Sequence, residues 1–132
     1  MSSTHLVLHD PEGRLDTELP LDRELHKALV KAVLGWTGNP SLPPADLQQI
    51  ALLLTGTARA VVADVRRAAD LLPEDHAARA LADVVLAEAD RRLSAPPDGT
   101  ARCAQNRARL VRALYERLDR LAGVAPQAAM AP

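Results

Sequence analysis

Phenylalanine is absent from this 132-residue chain, and tryptophan and tyrosine occur once each. Leu, Val and a great excess of Ala must therefore fill any core, and small side chains let helices approach closely while Ala has the highest helix propensity. The single cysteine excludes an internal disulfide and any cysteine-rich metal site, so nothing demands an oxidising compartment. No apolar run approaches the roughly 20 residues that span a bilayer. Met1 to Leu8 lacks the basic start of a signal peptide, which leads us to expect a cytoplasmic protein without membrane contact. Lysine is scarce too, at two against fourteen arginines, a bias of GC-rich coding rather than of function; the net charge of −1 argues against a generic polyanion binder. There is no Gly-rich phosphate loop, nucleophile elbow, zinc-protease pattern or Glu-x-x-His pair. The chain thus carries no catalytic motif, and neither a metal nor another cofactor is expected.

What is present is helical period. From Ala45 to Leu72, apolar or small residues at Leu47, Ile50, Leu54, Thr57, Val61, Val65, Ala68 and Leu72 advance in steps of three or four, the mark of an amphipathic helix. Twenty-eight residues would reach roughly 42 Å, longer than any other helix the pattern supports. A shorter helix before it is capped by Asp22, presents Leu25, Leu29, Val33 and Trp36, and ends at Gly35 and Gly38. Thr37 to Pro44, with three prolines, is a loop. Pro73, Glu74 and Asp75 open a third helix with Ala77, Leu81, Val84, Val85, Ala89 and Leu93 inward. After a turn over Ser94 to Gly99, Asp98 or Thr100 caps a fourth helix, which buries Ala104, Ala108, Val111, Leu114, Tyr115, Leu118 and Leu121 and stops at Gly123.

The fold expected is all-α: a four-helix antiparallel bundle over residues 21–123, preceded by an acidic, partly disordered N-terminal arm (1–20) and followed by a flexible tail (124–132). Within the arm, Asp10-Pro11-Glu12-Gly13 fits a type I turn that could join a weak hairpin. Residues 73–98 carry six acids and three arginines and residues 99–132 six arginines and two acids. That complementarity suggests the third and fourth helices lie side by side, although exposed ion pairs contribute only about 0 to 1 kcal/mol each.

Candidate chemistry is sparse. Cys103 sits in the first turn of the fourth helix near Arg102 and Arg107 but has no histidine beside it, and reads as a packing residue. His5 and His9 are four apart in the least helical segment, where ligands would not converge on a metal. His26 and His76 read as surface or capping-region side chains. Asp64, Asp83 and Glu88 interrupt apolar stretches, each with a helical partner in reach: Arg67, Arg79 and Arg91 or Arg92, respectively. The arginines of the fourth helix scatter around its circumference, which argues against nucleic acid as a partner.

The stretches Leu19 to Asp22, Ala63 to Pro73 and Ala80 to Leu93 resemble a family of small actinobacterial proteins known only as a domain of unknown function tied to natural-product biosynthesis. The resemblance covers about residues 19 to 122. It implies a biosynthetic or regulatory context and carries no catalytic residues across.

These readings favour a non-catalytic helical accessory module that binds another protein of the same pathway. The alternative is a small-molecule binder or cofactor-independent enzyme, with Trp36, Asp83 and Tyr115 around a pocket between helices. A DNA-associated regulator is the second alternative. The overhang of the long second helix beyond shorter partners also leads us to expect a homodimer.

Overall fold

A computed structural model describes residues 20–130, with side chains from 23 to 124. Its helices are α1 (Pro20–Leu34), α2 (Pro44–Asp70), α3 (Ala77–Ser94) and α4 (Ala101–Met130), and no strand occurs among the described residues. The expected four-helix all-α fold is the one observed. The expectations for the hairpin and for His5 and His9 fall on residues outside those described.

The helix ends follow local chemistry. α1 starts at Pro20, so Asp22 lies in its first turn rather than at its cap. Proline suits that opening position because its missing N–H has no helical acceptor there. α2 also opens on proline, with Asp46 near the positive end of its dipole. α3 begins at Ala77, four residues later than Pro73 suggests: the His76 N–H bonds the Pro73 carbonyl at 3.0 Å, and His76 Nδ1 then accepts the Ala78 N–H at 3.0 Å as the cap. At the start of α4 the Thr100 hydroxyl oxygen accepts the Cys103 N–H at 3.0 Å, while its own hydroxyl donates to Asp98 Oδ1 at 2.6 Å. The stop expected at Gly123 does not occur, and α4 runs on to Met130. An interior glycine costs a helix only about 1 kcal/mol, too little to end one by itself.

The helices alternate in direction, and their lateral order is α1, α4, α2, α3. α2 and α4 run side by side through the centre; α1 packs on α4, α3 packs on α2, and α1 and α3 do not touch. This corrects the charge-based pairing of the third and fourth helices, whose mutual contact is slight beside that of α2 with α4. Shape decides instead of charge. Ala51 and Ala58 on α2 and Ala104 and Ala108 on α4 are fully buried, so the two long backbones approach closely, and Leu54, Val61, Val65, Val111 and Leu114 fill the layers between. Burial of this apolar area, at roughly 25 cal/mol per Å², outweighs exposed ion pairs.

The stripes expected for α2 and α4 are the ones buried or half-buried. α1 turns Val30 and Val33 inward and leaves Leu25 68% exposed. α3 is rotated relative to expectation: Ala82, Leu86, Ala89 and Leu93 face the core, while Ala77, Leu81 and Val84 are exposed. α4, at 30 residues, is longer than the 27-residue α2, and buried positions on α2 extend from Leu47 to Ala69. The overhang expected of α2 is therefore absent.

Candidate functional site

α1 and α4 run antiparallel and leave a half-open groove of about 590 Å³ between them. One end is closed by Arg23, which donates from Nη2 to both carboxylate oxygens of Asp119, at 2.7 and 2.8 Å. The same guanidinium lies 4.5 Å from the centre of the Tyr115 ring, a cation–π contact. The Tyr115 hydroxyl and His26 Nδ1 are 2.8 Å apart. Both edges of the ring's environment are thus fixed. Val30 and Leu34 supply the apolar part of the lining, and Lys27, Lys31, Arg112 and Glu116 the polar part.

Of the three residues expected around a pocket, Tyr115 alone lines this groove. Trp36 is half-buried against the core at the far end of α1, where its carbonyl accepts Gln105 Nε2 at 3.4 Å. Ten residues of α4 separate Gln105 from Tyr115, roughly 15 Å by helical rise. Asp83 is exposed on α3, on the other side of the bundle, and accepts Arg66 Nη1 from α2 at 2.8 Å. The geometry does not bring the three together.

The other two candidate carboxylates, Asp64 and Glu88, are paired. Arg67 bonds Asp64, Arg91 and Arg92 both bond Glu88, and Arg79 leaves Asp83 for the Leu72 carbonyl at 2.8 Å and for Asp70. Burial pushes the Asp64 carboxyl above the usual carboxylate range against the opposing pull of Arg67. The side-chain and backbone hydrogen bonds from Thr100 hold Asp98 below that range. Cys103 packs half-buried against the core, and no cluster of potential metal ligands occurs among the described residues.

Arg107 is the residue sequence reasoning missed. It is only 6% exposed and spans from α4 to the end of α3, where Nη1 donates to the Arg92 carbonyl at 2.6 Å and Nη2 to the Ala95 carbonyl at 2.5 Å. From α2, Arg59 donates to the neighbouring Leu93 carbonyl at 3.1 Å. The signal available was position: Arg107 falls three residues after Ala104 and four before Val111, inside the buried stripe. A second cavity of about 550 Å³ beside it is lined by Arg92, Arg102, Cys103 and Asn106 among others, but Arg107 is already spent on main-chain carbonyls.

The outward face of α3 is the other candidate surface. Ala77, Ala80, Leu81, Val84 and Ala87 recur at helical spacing and are all exposed, Leu81 at 46% and Val84 at 66%. Glu74 and Asp75 precede this strip and Arg91 follows it, all three exposed.

A family model matches residues 24–123. The chain belongs to DUF6415, a family of unknown function. The DUF6415 match takes in all of α2 and α3 and both walls of the groove, and begins one residue after Arg23. No curated protein and no solved structure matches the chain. Among the described residues, no helix is long and apolar enough to cross a membrane.

Proposed function

We propose that this protein is a non-catalytic helical interaction module, and that the outward face of α3 is where it docks. The observation that carries this reading is the exposure of Leu81 and Val84 on a strip otherwise made of alanine. Single exposed apolar residues are ordinary, whereas a contiguous apolar helix face framed by charge is the usual form of a helix-docking surface. Small residues at Ala77, Ala80 and Ala87 let a second helix approach closely.

The partner this face fits first is a second copy of itself. Antiparallel pairing about a two-fold axis between positions 82 and 83 sets Leu81 of one copy against Val84 of the other. Glu74 and Asp75, in the turn just before α3, then lie toward the end of the other copy that carries Arg91, so opposite charges approach at both ends. Two-fold pairing of identical patches is the commonest symmetry of soluble homo-oligomers. The dimer then offers the remaining surface to another protein of the same pathway, and the resemblance to natural-product biosynthesis proteins supplies the context for that partner.

Light scattering on the wild type and on Val84→Arg tests the reading. The wild type is expected near twice the 14.1 kDa chain mass at micromolar concentration, and the variant at the monomer mass with unchanged helical circular dichroism. A wild-type mass that stays at that of one chain as concentration rises would sink the dimer.

A further inference from the structure

The α1–α4 groove carries an unbalanced charge that its own fold does not use. The contact of Arg23 with Asp119 fixes the antiparallel register, in which opposed positions on the two helices sum to about 142. At the closed end Arg23 is neutralised by Asp119, and Lys27 falls opposite Tyr115 and the opposite charge of Glu116, with no ion pair of its own among the described residues. At the open end Lys31 falls opposite Arg112, cation against cation. Neither has an ion-pair partner within 4.0 Å among the described residues, and both are exposed. Two like charges facing each other across a groove disfavour its empty state, and an anion placed between them reverses the sign of that interaction.

The floor between the two cations is apolar. Val30 is 7% exposed and Leu34 is packed against the core, so a ligand lying there meets hydrocarbon beneath and positive charge on either side. The volume of about 590 Å³ is that of an ordinary small-molecule site. A bare inorganic anion would use the cations and leave the floor wet, while a neutral apolar molecule would use the floor and leave the cations opposed. We infer that the groove binds a small organic anion with an apolar body, its acidic group held between Lys31 and Arg112 and its body on Val30 and Leu34. This inference is independent of the docking face on α3, which lies on the opposite side of the bundle.

The dye 1-anilinonaphthalene-8-sulfonate has this chemistry, and the neutral N-phenyl-1-naphthylamine shares its ring system without the charge. Fluorescence titration of the full chain is expected to show one saturable site for the sulfonate. Lys31→Glu and Arg112→Glu are each expected to weaken it about tenfold or more, the neutral dye to bind at least about tenfold more weakly, and Leu81→Ser/Val84→Ser to leave the affinity unchanged. Lys31 and Arg112 are exposed, so both variants are expected to keep the wild-type circular dichroism. Equal affinity for the two dyes, indifference to both charge reversals, or loss of binding in the α3 variant would each overturn the inference. So would full displacement of the dye by inorganic phosphate at comparable concentration, since that would assign the site to a bare anion.

Discussion

Arg107 on α4 holds the main-chain oxygen of Arg92, in the last turn of α3, at 2.6 Å, and takes the Ala95 carbonyl with its other terminal nitrogen. The last carbonyls of a helix have no helical donor, and a cation there also meets the negative end of the dipole. Arg59 approaches the same end from α2. The terminus of α3 is therefore tied to both central helices by arginines that read backbone, which explains how α3 and α4 join without a single ion pair between them among the described residues.

Removing that tie has a cost set by burial. Arg107→Ala leaves two carbonyls without their charged donor inside the bundle, and is expected to lower stability by about 2 to 3 kcal/mol. Arg107→Lys should recover only part of this, because one ammonium cannot serve both carbonyls in the geometry of the guanidinium fork. Urea unfolding followed by circular dichroism measures both. A change under about 0.5 kcal/mol for the alanine variant would show the contact to be incidental.

Glycine positions separate two physical situations. A side chain at Gly99 would place its Cβ 2.7 Å from the Pro44 carbonyl oxygen, where the turn before α4 crosses the start of α2. Gly99→Ala must displace backbone and is expected to destabilise by about 1 to 3 kcal/mol. A Cβ at Gly56 meets nothing within 4 Å, and the residue is exposed inside α2. Gly56→Ala is therefore expected to raise stability by up to about 1 kcal/mol, through helix propensity and a less disordered unfolded chain. Thermal unfolding should move the two midpoints in opposite directions, and a fall for both would mean that α2 needs its glycine.

These contacts also show which parts of the structure could be read from sequence. On α2 and α4 the inward positions are marked by Leu and Val at steps of three and four, and the stripes drawn from them are the stripes buried. On α3 the two most deeply buried residues are Ala82 and Ala89, while Leu81 and Val84 face outward. In a helix this rich in alanine large residues lie on both faces, Leu86 and Leu93 inward and Leu81 and Val84 outward, so hydrophobicity alone rotates the prediction. Local spacing pairs Asp83 with Arg79, yet the adjacent α2 presents Arg66 at 2.8 Å. Tyr115 was legible as a candidate; the bond of Arg23 to Asp119 joins residues 96 apart and depends on helix order, which composition does not encode.

Acid stability should follow Asp98 and Asp64 with opposite signs. Asp98, held below the ordinary carboxylate range by Thr100, contributes stability that is fully present above the unfolded value of 3.8 and is lost as pH falls through its lower folded value. Asp64, pushed above that range by burial, behaves the other way. Its protonated form is favoured on folding, so its contribution is present below 3.8 and is lost as pH rises through the raised folded value. At neutral pH the partly buried Asp64 charge opposes folding, relieved in part by Arg67. Asp64→Asn should remove the part of the pH dependence above 3.8 that Asp64 contributes, whereas Asp98→Asn should flatten the loss below it. The measurement is the unfolding free energy of wild type and both variants from pH 2.5 to 7. If Asp64→Asn steepened the decline above pH 3.8, the ion pair with Arg67 would outweigh desolvation, and the direction assigned to Asp64 would be wrong.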